Sequence, residues 1–425
     1  MRRSRPRQWI GVALAATFVL GAAACGDDDD GGTAASSSTT EATGGDSGSD
    51  AGADKDPYLV AYVGNLSGPT GVAAQADLAG FQAYVGALNE RGGVDGHEIE
   101  IKVYDDKADV AVGSTVFREA LASGAIAIRG VSTTAIHAAE AQLNGADGAV
   151  YFSPGFTLDL LIGERLDPLL FGTGLSFKDS AAIQLAFIKE LAEEQDIDKP
   201  RIAIMRHPNP AGDDFVAAAE AMIAEYGFEL VTRQDVALTA VDVSAQAQGV
   251  KAANPDFVLA MIFSNTAPAM VSALQGQGVD VPIVNYTFGS DEPAFERVKS
   301  PDYYAVRAYA WPTEDIEALD QLHADAKTAG VDESTVNSNT FSVTGYIGGM
   351  LLEEALSTCG SGCDRKGLAA ALEEISDFDT GDLSPPLTFT ADDHRGYSLG
   401  RIYQWDEGKG RAVAVSDWLE SGLAH

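Results

Sequence analysis

One pattern recurs from residue 57 to residue 285: a short apolar run, then a longer stretch with apolar residues at helical spacing. Residues 58–64 read as a strand, and 71–91 as a helix with Leu78, Phe81, Val85 and Leu88 on one face. Ile99, Ile101 and Val103 alternate with polar residues, as a strand does. A helix over 108–123, a strand over 125–129, a helix over 134–143 and a strand over 149–152 follow. The pattern then restarts, with helices predicted at 177–194, 213–226, 243–253 and 267–277. The strands between them fall at 201–205, 228–236, 257–262 and 281–285. Strand–helix units of this length imply parallel sheets covered by helices on both faces. The fold class is therefore α/β. Roughly 370 residues are too many for one ordinary core, so two lobes are expected.

The remainder is less regular. Residues 303–311 read as a connecting strand, and 314–329 and 336–358 as helices. Gly345 and Gly349 lie one turn apart in the second of these, an arrangement that lets another backbone come close. From Leu387 the chain is strand-rich, with a turn at Gly408-Lys409-Gly410.

The amino terminus describes export. Arg2, Arg3, Arg5 and Arg7 precede an uncharged apolar run from Trp9 to Leu20. That run is short of the roughly 20 residues a membrane helix needs and reads as a signal h-region. Gly21-Ala22-Ala23-Ala24-Cys25-Gly26 resembles a bacterial lipobox, whose cysteine becomes a lipidated N-terminus. Residues 1–24 are then a signal peptide and Cys25 the lipidation site. An ordinary signal peptide cleaved near Ala24 is the alternative. Residues 25–56 are acidic and rich in Gly, Ser and Thr, with little to fill a core, and read as a disordered tether.

A net charge of −35 disfavours nucleic acid, whose phosphates need a basic face. Cys359 and Cys363 flank Gly-Ser-Gly, and exported thiols tend to oxidise, so a disulfide is expected there. A metal pair is the alternative, but no His lies near. There is no Gly-x-Ser-x-Gly elbow, no Walker loop and no Gly-x-Gly-x-x-Gly after a strand. The six histidines show no metal spacing. No catalytic residue, metal or cofactor is expected. His137, in the first turn of its helix, reads as a surface residue, with an approach to the cleft as the alternative.

Several local signatures occur in order: Leu66-Ser67-Gly68-Pro69-Thr70-Gly71, Asn89-Glu90-Arg91-Gly92-Gly93-Val94-Asp95-Gly96, Tyr104-Asp105-Asp106, Ser153-Pro154-Gly155, and a turn Asp392-Asp393-His394-Arg395-Gly396. With them the chain resembles the leucine/isoleucine/valine-binding proteins of the type I periplasmic-binding superfamily. The resemblance implies two doubly wound parallel-sheet lobes joined by three crossover strands. Lobe 1 would hold 57–174 and 312–385, and lobe 2 would hold 175–311 and 386–420. It also implies an extracytoplasmic, lipid-anchored monomer that delivers a small-molecule solute to ABC permease subunits. A ligand-sensing receptor is the alternative purpose, and a hydrolase a remote one.

Residues alone point to the loop Val131-Ser132-Thr133-Thr134, because a helix N-terminus offers free N–H groups and hydroxyls to an electron-rich ligand. The bland reading has Thr134 only capping its helix. In the resembled family this loop grips a ligand carboxylate, with Thr134 nearest the binding serine. The loop Ser153-Pro154-Gly155-Phe156-Thr157 is the second candidate, Gly155 allowing close backbone approach. Family contacts map there to Phe156 and Thr157. Across the cleft, two aromatic positions of the family hold Ala73 and Ala211, and a third maps to Phe263 and Ser264. The acid that pairs an amino-acid ammonium maps to Thr287, while Ser290-Asp291-Glu292-Pro293 reads as a helix start.

Overall fold

The computed structural model describes residues 55–68 and 71–423. The signal peptide, Cys25, nearly all of the tether, and Pro69-Thr70 lie outside the described residues. Five parallel strands form a first sheet: β1 (Tyr58–Gly64), β2 (Ile99–Asp105), β3 (Ala127–Arg129), β4 (Val150–Ser153) and β5 (Leu170–Gly172), in the order β2-β1-β3-β4-β5. Helices α1 (Gly71–Glu90), α2 (Val110–Ala122) and α3 (Thr134–Asn144) connect the first four strands. The Asp109 carboxylate starts α2 by accepting the N–H groups of Ala111 and Val112. Strand β5 is absent from the pattern read in the sequence, because three buried residues are too few to show a period.

The chain then crosses at 173–176 into α4 (Phe177–Glu194), which packs on a second sheet. Its first strands are β6 (Arg201–Arg206), β7 (Glu229–Asp235), β8 (Phe257–Met261), β9 (Ile283–Asn285) and β10 (Tyr303–Arg307). They run parallel in the order β7-β6-β8-β9-β10. Helices α5 (Pro210–Glu225), α6 (Ser244–Ala253), α7 (Ala267–Gly276) and α8 (Glu292–Val298) connect them. The segment read as a connecting strand thus ends at Arg307 as a full member of this sheet.

After β10 the chain returns to the first sheet as α9 (Glu317–Thr328), α10 (Glu333–Val336), α11 (Phe341–Cys359) and α12 (Arg365–Glu373). Both α9 and α11 pack on α1, and α12 packs on β4. Glycines make the α1–α11 contact possible. A Cβ on Gly80 would stand 1.8 Å from the Ser342 carbonyl oxygen, and one on Gly345 would stand 1.9 Å from that of Asp77. Under this crossing, Arg129 and Asp77 form a fully buried ion pair, and Arg129 Nη2 also donates to the Thr344 carbonyl at 2.8 Å.

The supposed turn at 392–396 is a strand, β12 (Asp393–Gly396), paired antiparallel with β11 (Thr388–Thr390) and lying beside β5. His394 stacks on Phe171 at 4.1 Å, and the Arg395 guanidinium pairs with buried Asp179 of α4. The signature Asp393-His394-Arg395-Gly396 is therefore a structural joint. β13 (Leu399–Asp406) then adds antiparallel to β10, followed by β14 (Arg411–Ala414) and β15 (Leu419–Glu420) on β13. The second sheet is mixed, whereas the sequence pattern announces a parallel set, because β13 enters it antiparallel to β10 and β14 and β15 both pair antiparallel with β13. Cys359 and Cys363 are joined as a disulfide. Among the described residues no helix is long and apolar enough to cross a membrane.

Candidate functional site

The loops singled out in the sequence leave the carboxyl ends of β3, β4, β6, β8 and β9. That edge is where open parallel sheets bind ligands. Thr133, with extended backbone at φ −77° and ψ 149°, is the residue that caps α3; its side chain makes no cap hydrogen bond. Thr134 is the first helical residue, so the reading of Thr134 as a cap does not hold. The Ser132 hydroxyl lies toward the Asp106 carboxyl, whose pKa burial raises.

The neighbouring loop is turned mostly inward. Ser153 is fully buried, and its hydroxyl accepts the Gly155 N–H at 3.3 Å. The Phe156 ring packs in the core against Tyr151 and His137, at 4.9 and 5.4 Å between centroids. Its ring is committed to these packing partners. Thr157 precedes a short 3-10 turn at Leu158–Leu160 and makes no cap bond with its side chain.

His137 corrects the sequence reading most sharply, for it is buried and not a surface residue. Its Nε2 accepts the Ser132 N–H at 3.1 Å, and its Nδ1 stands 3.2 Å from the Gly155 carbonyl oxygen. The ring joins the two candidate loops. Burial holds its pKa down to about 4. Gly155 faces this ring: a Cβ there would come within 3.2 Å of His137 Cε1.

On the second sheet, Asn209 caps α5 by accepting the Gly212 N–H, and Ala211 is buried in the first turn. His207 follows β6 directly and accepts the Phe263 N–H at 3.0 Å. The half-buried Phe263 ring lies 4.8 Å from His207 and 5.8 Å from Tyr286. Phe288 continues the cluster, 5.4 Å from Tyr286 and 4.9 Å from Phe341 at the head of α11. That last contact joins loops belonging to the two sheets. A second joint is ionic: Lys178 of α4 pairs with Asp159 beside the first sheet and with Asp214 of α5 at 3.4 Å.

Among the described residues, the buried hydroxyls of Tyr286 and Thr287 meet no hydrogen-bond partner. Buried unpaired hydroxyls are costly, and both adjoin aromatic surface. The Ser264 hydroxyl is occupied, donating to the Phe288 carbonyl at 2.9 Å. Asp291 caps α8, accepting the Ala294 N–H at 3.2 Å, as its sequence context predicts. Glu292 pairs with Arg307 and accepts the Ala412 N–H, so it belongs to the sheet edge. Among the described residues no group of three or more His, Cys, Asp or Glu suits a metal ion.

Sequence reasoning missed Tyr286, Phe288 and Phe341. The first two flank Thr287, and the short aromatic run Tyr286-Thr287-Phe288 is a signal that was available. Phe341 carried no local signal. A groove of about 700 Å³ between α1, β2 and the α9–α10 turn is lined by none of the predicted residues.

Comparison with known proteins agrees with this architecture. The Leu/Ile/Val-binding protein homolog 4 of Brucella abortus (strain 2308) is 25% identical over 237 residues, 54% of this chain and 56% of the relative. The chain thus spans about half the length of that curated relative. A branched chain amino acid ABC transporter protein from Thermus thermophilus with bound valine superposes with a TM-score of 0.77 at 17% identity, over 87% of this chain and 97% of the other. A fatty acid ABC transporter substrate-binding protein from Thermomonospora curvata gives 0.72 at 20% identity, over 86% and 93%. These structural likenesses establish the fold. Residues 57–411 match the periplasmic binding protein family over its sequence signature, and the chain belongs to that family.

Proposed function

We propose that this chain is the extracytoplasmic solute-binding component of an ABC importer, anchored through lipid on Cys25. Its two lobes, divided at 174, 311 and 385, close on a small organic acid with an apolar body and hand it to the permease. The observation that carries the ligand class is the aromatic group Phe263, Tyr286, Phe288 and Phe341, with the unpaired hydroxyls of Tyr286 and Thr287 beside it. Aromatic surface favours an apolar body, and buried hydroxyls favour a polar group that meets them. The α3 N-terminus at Thr133–Thr134 would receive the carboxylate. An amino acid needs its ammonium paired in a closed cleft, and Thr287 stands where the resembled family has the acid. The relatives named for valine and for fatty acid both take carboxylates, which supports the shared group.

Calorimetry against leucine, isoleucine, valine, benzoate and palmitate tests the class. Binding of an acid that lacks an ammonium, tighter than any branched amino acid, is expected. Submicromolar binding of leucine, isoleucine or valine overturns it. Cys25→Ala should release the protein from the membrane fraction; a wild-type chain recovered unacylated refutes the anchor.

A further inference from the structure

Two histidines, one at the carboxyl edge of each sheet, make the same pair of bonds with the same ring atoms. His137 accepts the Ser132 N–H at Nε2, 3.1 Å away, and holds Nδ1 3.2 Å from the Gly155 carbonyl oxygen. His207 accepts the Phe263 N–H at Nε2, 3.0 Å away, and holds Nδ1 2.8 Å from the Val236 carbonyl oxygen. A ring nitrogen that accepts from a backbone N–H carries no proton, while one facing a carbonyl must carry it. Both imidazoles are therefore neutral and protonated at Nδ1.

Each ring ties together loops that leave different strands. His137 links the β3 loop to the β4 loop. His207 links the ends of β7 and β8, which flank its own strand β6. Both rings are buried, at 2% and 0% exposure, so no water substitutes for a lost bond. The ionisable surroundings do not favour an imidazolium. Around His137 stand Glu140 on its own helix, Tyr151 of β4, whose hydroxyl donates to Glu140 at 2.7 Å, and Asp106 beyond Ser132. Burial pushes the Glu140 carboxyl up to about 8, so it is no ready anion at neutral pH. Around His207, Arg206 pairs with Asp213 and with Asp235, and neither acid is free to hold a proton on the ring.

We infer that His137 and His207 are positioning residues which set, from opposite sides, the loops that hold the solute. They touch no solute themselves; they fix where Ser132–Thr134 and Phe263–Ser264 stand. Where those loops stand bears on affinity only through the site proposed above, so the affinity arm of the test rests on that reading.

The test uses the full chain carrying His137→Phe, His207→Phe or His137→Asn. Phenylalanine keeps the ring packing and removes both bonds; asparagine keeps a donor for the Gly155 carbonyl only. In the unliganded protein, His137→Phe should speed amide hydrogen exchange at Ser132, and His207→Phe at Phe263, with distant strands unchanged. Affinity for whichever of valine, benzoate and palmitate binds should fall tenfold or more in either Phe variant, with His137→Asn intermediate. Wild-type affinity should also fall as pH approaches about 4, where His137 protonates, and His137→Phe should lack that part of the fall. Unchanged exchange and affinity in His137→Phe overturns the inference. If none of the three probes binds, the ligand class fails, and exchange at Ser132 and Phe263 still decides the tethering. If the variants do not fold, ring nitrogen shifts of the wild-type protein decide it: an Nε2–H tautomer at pH 7 in either histidine overturns it.

Discussion

Replacing Arg129 with Met should be among the most damaging single changes in the first sheet. The Arg129 and Asp77 side chains are both fully buried. The guanidinium gives Nε to Asp77 Oδ1 at 3.1 Å and Nη2 to Oδ2, while Nη2 also reaches the Thr344 carbonyl. Its Nη1 reaches the Thr173 hydroxyl at 3.4 Å, where the chain begins to cross between the sheets. Helix α11 closes over it: a Cβ on Gly348 would stand 2.7 Å from Arg129 Cζ, so solvent has no route in. With Met at 129, Asp77 loses its cation and keeps the neutral Thr344 hydroxyl, at 2.7 Å. Removing one member of a buried pair costs about 3–5 kcal/mol, because the other charge stays buried and unpaired. Arg129→Met should lose that much in urea unfolding followed by circular dichroism and tryptophan fluorescence, provided the two probes coincide. Asp77→Leu should lose a similar amount. The double variant Asp77→Leu, Arg129→Met leaves no orphan charge, so it should recover much of the loss. A single variant costing under about 1 kcal/mol, or a double variant as costly as both singles added, would refute the reasoning.

Gly345→Ala places a methyl 1.9 Å from the Asp77 carbonyl oxygen, so α1 and α11 must separate, at a cost of about 1–3 kcal/mol or more. A thermal melt unchanged from wild type would show that the helices have slack there. His137 sets an acid-side slope. Its pKa of about 4 lies below the ordinary 6.5, so the unfolded chain binds a proton that the folded chain refuses between those values. Stability should therefore rise with pH through that window, by up to about 1.4 kcal/mol per pH unit from this group. Urea midpoints at several pH values, compared with His137→Phe, measure the share; equal slopes in both proteins would dismiss it.

Much of this protein is determined locally and so could be read from the chain. The strand–helix alternation, the α/β class and the restart of the pattern at Phe177 follow from apolar spacing alone. The start of α8 was legible in Ser290-Asp291-Glu292-Pro293, because a cap and an early proline act within one turn. Gly345 announced a close approach, and α1 makes it. What the sequence could not decide is what depends on partners far along the chain. Strand β5 exists because Leu170–Gly172 is flanked by β4 and packed on β12, not because three residues prefer extension. The antiparallel strands after β10 needed the register of Arg307 with Arg401 and of Ala305 with Tyr403. His137 looks like any polar residue in a first helical turn until the loop after β4 supplies the Gly155 carbonyl for its ring and Tyr151 and Phe156 close over it. Phe288 and Phe341 lie 53 positions apart in the numbering yet meet at 4.9 Å. Apolar periodicity reports which face of an element is buried, but nothing in it names the side chains buried against that face. Those are chosen by how separate elements pack, and packing settles only when the whole chain has collapsed.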